Sequence, residues 1–330
     1  MNYLFVGIDV SKDTLDVAIA DHTQPQINSH FVVPNALMGI DKLFTQLTQS
    51  YSEKSFWFCF EHTGNYQLLL AHQLHNRKIY FSQIPALQIK RSLGITRGKN
   101  DKIDAQRIAT YASVHRHKLK RSSPKTHNLQ IISSLLSSRN LLIKSRTAFK
   151  NHLKSLLKTN ECVKIECCID VVQNQLDNLN MQIKTIENQI STHIAQDPKV
   201  KKSFDQLTSI PGVGLITAAT TITYTNNFTL FANHRKFSSF CGIAPFTHQS
   251  GSSIKGMDKT SPLRNREMKK LLFAAALSSM RCDPQLSNYS QRKIAEGKHK
   301  LSVRNAVAGK IVARMFAVIR NDRHYVKLAF

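Results

Sequence analysis

The stretch "LFVGIDVSKDTLDVAIA", residues 4–20, decides how the first part of this chain is read. Apolar residues fill Leu4–Ile8 and return at Leu15, Val17 and Ile19, with the polar turn "SKD" between them. Two strands joined by a tight polar turn are expected. Asp9 closes the first strand, directly after the apolar run. A carboxylate there is poorly solvated and costs free energy unless its charge is compensated.

Outward from this stretch, strand patterns fall at about 3–9, 15–20, 29–33, 56–60 and 79–82, and helical patterns at about 36–50, 65–77 and 102–114. Three early strands followed by alternating helices and strands predict an α/β layer domain. Three more acids stand out here, one at a strand end as Asp9 is and two on a helix. Glu61 ends the apolar strand "FWFCF", and Asp101 and Asp104 lie at i and i+3 in "GKNDKIDAQRIA", on one helical face. Four carboxylates that converge at a sheet edge repel one another unless a cation neutralises them, and an all-oxygen donor set suits Mg²⁺ or Mn²⁺. Taken singly, each acid has a plainer reading: Asp9 as a turn residue, Glu61 as a lone strand-end acid, Asp101 as a helix cap.

The formal charge is +25, from 46 Lys and Arg against 21 Asp and Glu. A charge so far from zero points to a polyanionic partner, and nucleic acid is the first candidate. An anionic membrane surface is the second. No run is long and apolar enough to span a bilayer, and no secretory signal is read, so no membrane partner and a cytoplasmic, nucleoid-associated setting are expected. Six cysteines are scattered without zinc spacing, which reads as reduced and mostly buried thiols.

Residues 105–160 hold no acid and twelve Lys or Arg. Leu135, Leu142, Phe149 and Leu156 recur every seventh residue, so a helix with an apolar seam and a basic face is expected, with Arg139, Arg146 and Lys150 as candidate phosphate contacts. A second helix follows with Ile169, Val172, Leu176, Leu179, Ile183, Ile186 and Ile190 in 3-4 spacing. This seam can close an antiparallel hairpin within the chain or pair chains with one another. Its narrowness and polar flanks favour the second.

From Lys201 the chain is basic again, with 21 Lys and Arg against 6 acids. "SIPGVG", with Gly212 and Gly214, has a helix-hairpin-helix pattern whose backbone N–H groups can approach a phosphate. The plainer reading is an αα turn with a packing glycine. "CGIAPFTHQSGSSIKGMDKTSPLRNRE" reads by composition as a polar Gly/Ser surface loop before a basic helix.

Taken together, "GIDVSKDTLDVAI", "FEHTGNY", "GKNDKIDAQRIA", "LTSIPGVG" and "CGIAP…QSGSSIKG" resemble the DEDD transposases of the insertion-sequence one-hundred-ten family and the related Piv-type DNA invertases. The match is ordered and spans nearly the whole chain. It implies an α/β RNase H-like (RuvC-like) N-terminal domain, a coiled-coil helical connection and a mainly α-helical C-terminal transposase domain. The corresponding boundaries are 1–122, 123–198 and 199–330. It also implies a Mg²⁺-binding tetrad of Asp9, Glu61, Asp101 and Asp104, and a serine nucleophile. By its motif, a Ser before Gly ahead of a basic segment, that serine is Ser250, with Ser252 and Ser253 competing. Lys255, Lys259, Arg264 and Arg266 are the cations expected to hold the strand. Donor and target DNA, a structured bridge RNA and a dimer or tetramer are the partners the resemblance implies. The chain departs from the family's pattern at Gly251-Ser252 and at His62.

Three functions are therefore carried forward. The first is a recombinase that cuts and rejoins DNA through a phosphoserine. The second is a Mg²⁺-dependent, RuvC-like structure-specific nuclease that activates water. The third is a nucleic-acid-binding protein without catalysis. The "GID" after a strand also opens actin-like sugar kinases, but the glycine-rich phosphate loops these need are not evident.

Overall fold

A computed structural model describes residues 3–21, 27–62, 64–92, 100–250 and 254–327. The chain divides into two compact units, Met1–Pro124 and Lys125–Phe330.

The first unit is a mixed α/β layer. Its strands are β1 (Tyr3–Val10), β2 (Thr14–Asp21), β3 (Ile27–Pro34), β4 (Ser55–Glu61) and β5 (Tyr80–Ile84). Its helices are α1 (Leu37–Ser50), α2 (Leu68–Asn76), α3 (Ala86–Ser92) and α4 (Asp101–Val114). The strands stand in the order β3-β2-β1-β4-β5. β1–β2 and β2–β3 are antiparallel; β1–β4 and β4–β5 are parallel. A strand at the centre of such a sheet is covered on both faces, which explains the unbroken apolar run of β1. Leu4, Val6 and Ile8 pack with Ile40, Leu43, Leu70 and Leu74 of α1 and α2. Phe5 packs with Cys59, Ile108 and Ala112 on the opposite face.

That opposite face is built from small residues. Ala18 and Ala20 of β2 meet Ala105 and Ala109 of α4. A Cβ on Gly7 would stand 2.6 Å from the Ala105 carbonyl and would also strike the Ala109 nitrogen. The absence of a side chain at Gly7 is thus what lets α4 lie directly on the sheet. The helix begins at Asn100, whose side chain accepts from the Ile103 N–H at 2.8 Å. Asn100 is the cap, not Asp101 as the plainer reading had it, so Asp101 and Asp104 occupy the first turn proper.

In the second unit, α5 (His127–Asn160) and α6 (Glu166–Gln196) form an antiparallel hairpin. It is clamped by Asn128 to the His193 carbonyl, Arg139 to Glu187 and Arg146 to Asn180. Val172, Leu176, Leu179, Ile183 and Ile190 are buried within the chain. The expectation that this seam pairs chains is therefore corrected. The repeats of α5 and α6 share a period, so each helix supplies the apolar face the other lacks.

A helical bundle follows: α7 (Pro198–Thr208), α8 (Leu215–Thr225), α9 (His234–Phe240), α10 (Arg266–Cys282), α11 (Pro284–Ala295) and α12 (Lys300–Arg320). Its core joins Leu207, Ile222, Phe237, Leu272, Ile311 and Met315. Asp197 caps α7, accepting from the Lys199 and Val200 N–H groups. The segment read as a Gly/Ser loop is instead an antiparallel hairpin of β6 (Pro245–Ser250) and β7 (Ile254–Thr260). Among the described residues no helix is long and apolar enough to cross a membrane.

The cysteine expectation needs correction too. Cys59 and Cys241 are buried, but Cys162, Cys167, Cys168 and Cys282 are exposed. Cys162, Cys167 and Cys168 sit at the closed end of the α5–α6 hairpin, off its apolar seam, and Cys282 ends α10.

Candidate active site

Strand periodicity and register explain how the acids meet. Side chains alternate between faces, so Phe5, Gly7 and Asp9 of β1 point toward the face that carries α4. Gly7 pairs with Cys59, and Ile8 with Phe60. Trp57, Cys59 and Glu61 therefore share that face. Parallel pairing brings the ends of β1 and β4 to the same edge, with Asp9 on one and Glu61 on the other. The close seating of α4 over Gly7 delivers its first turn, with Asp101 and Asp104, to this edge.

The electrostatics record the meeting. Asp9 is half-buried, and its pKa is pushed from 3.8 up to about 6. Burial is the largest cause, followed by the charges of Asp101, Asp104, Glu61 and Asp16. The other three carboxylates expected from the sequence are thus each within electrostatic reach of Asp9. Asp104 is also paired, its Oδ1 accepting from Arg107 Nη1 at 2.9 Å.

Asp16 was not foreseen. It is 8% exposed, stands directly opposite Asp9 in the β1–β2 register, and is bonded to His30 Nε2 at 3.0 Å. The register centres on the four residues Ser11–Thr14, whereas a three-residue turn at "SKD" would pair position 9 with 15, so the turn motif alone did not place Asp16 opposite Asp9.

Among the described residues, no three acid, histidine or cysteine side chains are gathered closely enough to hold an ion. The donor chemistry nonetheless fits Mg²⁺ or Mn²⁺. It consists of carboxylate oxygens only, and their mutual repulsion, visible at Asp9, is what a divalent cation relieves.

Ser250 ends β6, its backbone paired with Ile254 of β7. Ser252 and Ser253 lie outside the described residues. The root of this hairpin is firmly tied. The Asn265 N–H donates to the Phe240 carbonyl at 2.9 Å. Lys269 Nζ donates to the Gly242 carbonyl at 2.8 Å and to Thr260 Oγ1 at 3.2 Å. Asn305 Nδ2 donates to the Ile243 carbonyl at 2.8 Å. Gly242, at a φ of +68°, takes the stem of Arg264 against its Cα: a Cβ there would stand 2.5 Å from Arg264 Cβ. Lys259 and Arg266 are exposed, and the backbone of Lys255 is in register with that of Gln249 across the hairpin.

The remaining candidate contacts divide. Lys150 is exposed on α5. Arg139 is held by Glu187 at 2.7 Å, so a phosphate would have to compete with a partner inside the chain. Arg146 donates to Asn180 Oδ1 at 3.1 Å. Gly212 has a φ of +87°, and a Cβ there would meet the Ala275 carbonyl at 2.6 Å as well as Ser279. Its glycine is required by packing on α10, where Ser279 Oγ donates to the Pro211 carbonyl at 2.5 Å. Gly214, at the start of α8, has open space where a Cβ would stand.

Comparison with known proteins adds an independent line. Residues 6–160 match the model of a family described as transposase, the DEDD group of IS110. Residues 205–291 match a second, described as transposase of the IS116/IS110/IS902 family. The chain is 28% identical over 338 residues to the pilin gene-inverting protein of Moraxella bovis, covering 99% of each chain. The pilin gene-inverting protein of Moraxella lacunata is similar to the same degree. This chain is also 28% identical over 210 residues to the transposase for insertion sequence element IS1111A of Coxiella burnetii, over 56% of its own length and 55% of the other.

Proposed function

Since this chain belongs to the IS110 family of transposases, we propose that it cuts and rejoins DNA strands in transposition or inversion, using the acidic edge around Asp9 and a serine nucleophile. One observation carries the reading: Asp9 is pushed up to about 6, first by its burial and then by the charges of Asp101, Asp104 and Glu61, which come to it from a helix turn and a neighbouring strand end. A fold gains nothing from such repulsion, and functional sites are where it is commonly kept. The strand order β3-β2-β1-β4-β5 supports an RNase H-like, RuvC-like domain for residues 1–122. Residues 123–198 would then serve as the helical connection and 199–330 as the transposase domain.

A Mg²⁺ or Mn²⁺ ion held by Asp9, Glu61, Asp101 and Asp104 would supply charge neutralisation and polarise a phosphodiester. Ser250 Oγ attacks the phosphorus; the Ser O–P bond forms as the strand's P–O bond breaks. The serine loses a proton and the leaving strand oxygen gains one, so the step balances. The phosphoserine keeps the bond energy, and a hydroxyl from a second strand reverses the attack without ATP. The tied root of the β6–β7 hairpin gives Ser250 a rigid base to work from. Gly214 and the exposed Lys150, Lys259 and Arg266 hold the nucleic acid through its phosphates. A structured bridge RNA, a dimer or tetramer and a cytoplasmic setting complete this reading.

The test is to react the protein with labelled DNA in Mg²⁺, digest with protease and map the modified residue by mass spectrometry. DNA on Ser250, and none with Ser250→Ala, is the expected result. DNA on Ser252 or Ser253 moves the nucleophile within the segment. Cleavage with no serine adduct rejects the mechanism and points to activated water.

A further inference from the structure

The turn after Glu61 carries an exposed aromatic residue. Tyr66 lies between β4 and α2 and is 53% exposed. Its backbone is nevertheless held. Asn35 Nδ2 donates to the Tyr66 carbonyl at 3.0 Å and to the Ser11 carbonyl at 2.9 Å. The Asn35 N–H donates to the Asp13 carbonyl at 2.9 Å. Ser11 is the second residue after Asp9. One asparagine therefore ties the segment following Glu61 to the turn following Asp9. Leu37 and Met38, just beyond Asn35, are 55% and 85% exposed. A single exposed apolar side chain is ordinary. Tyr66 stands apart from these two because its backbone is tied, through Asn35, to the turn that follows Asp9.

We infer that Tyr66 is the stacking platform for an unpaired nucleobase of the DNA strand held at this edge. The inference rests on the reading of the edge as a phosphoryl-transfer centre. Acids repel the phosphate they act on, so the strand needs anchorage that is indifferent to charge. A base stacked on an aromatic ring supplies it, at about 1–3 kcal/mol per base. A tyrosine whose backbone is tied has only two side-chain torsions to lose, so little of that is returned as entropy. Exposed Lys12, in the turn between Ser11 and Asp13, offers a cation for the next phosphate along the strand.

The probe is a short single-stranded deoxyoligonucleotide carrying one 5-iododeoxyuridine, mixed with the full-length protein in chelator. Illumination should cross-link it to the peptide containing Tyr66. Tyr66→Ala should weaken binding between about fivefold and a hundredfold without changing the slope of affinity against salt, since no charge is removed. Tyr66→Phe should bind as the wild type does, because the ring and not the hydroxyl makes the contact. Three results would overturn the inference: unchanged binding by Tyr66→Ala, equal losses in the Ala and Phe variants, or cross-links confined to other peptides. If Tyr66→Ala fails to fold, the cross-link and the Phe variant still decide. The outcome is separable from the acid reading, because binding is measured without divalent cation, whereas full strand exchange by Asp9→Asn would overturn the acids themselves.

Discussion

Replacing Asp9 by Asn removes a charge that folding forces against its neighbours, so the variant should be more stable than the parent when divalent cations are absent. The sign follows from the pKa. Asp9 titrates at about 6 in the folded chain, against 3.8 for an unperturbed aspartate. Below 3.8 both states are protonated and there is no penalty. As pH rises through the window between the two values, the unfolded state releases its proton first, and folded stability falls. Above about 6 the penalty is complete. A shift of roughly two units corresponds to about 3 kcal/mol at full weight. Asp9 is only half-buried, and solvent screening reduces this to about 1–2 kcal/mol. For a unit of this size that is about 4–8 °C in melting temperature. The assay is thermal unfolding of wild type and Asp9→Asn in chelator, at several pH values from about 3.5 to 8. The difference should be near zero at the acid end and grow to its full value above about pH 7. Added Mg²⁺ should stabilise the wild type more than the variant. A difference between the two proteins that does not change with pH would refute the reasoning, because it would show that Asp9 does not sit in the field of the other acids.

Gly7→Ala places a methyl against Ala105 and Ala109; it should cost about 1–3 kcal/mol by overpacking and lower strand exchange by displacing the first turn of α4, measured as denaturation midpoint and recombination rate. Gly212→Ala faces both a positive φ and the α10 backbone, so chemical denaturation should show a loss of about 2–3 kcal/mol. Weakened DNA binding at unchanged stability would instead favour the phosphate role. Leu176→Asp with Ile183→Asp buries two charges in an internal seam and should melt the α5–α6 hairpin, read as lost helical circular dichroism, at a cost of several kcal/mol. A folded protein that merely drops in mass by light scattering would return the seam to an intersubunit role.

Much of the first unit was legible because its signals are local. The alternation around "SKD" names two strands and their turn, and the apolar run into Asp9 marks a strand covered on both faces. Asp101 and Asp104 share a face through i, i+3 spacing alone. The α5–α6 repeat was equally clear, but a seven-residue period says only that a helix needs a partner, not which chain supplies it. Arg139 looked available for phosphate for the same reason: Glu187 is 48 residues away in sequence and adjacent only once the hairpin closes. The β6–β7 hairpin was hidden because its glycines and serines carry no apolar alternation. Its strands hold by backbone pairing and by a root tied through Lys269 and Asn305.

The elements of the first unit, the long helices, the basic character of the chain and the acids at element ends were all readable from composition and from neighbours within a turn or a strand. What those ends face follows from the tertiary fold. Parallel pairing of β1 with β4 sets Asp9 and Glu61 at one edge, and the bare Cα of Gly7 lets α4 come close enough to bring its acids there. The register of β1 on β2 adds Asp16, and one side chain, Asn35, ties the turn after Asp9 to Tyr66. Carboxylate repulsion and close packing both depend on distance in space, and residues 9, 61 and 101 acquire that distance only when the sheet and its helix close together.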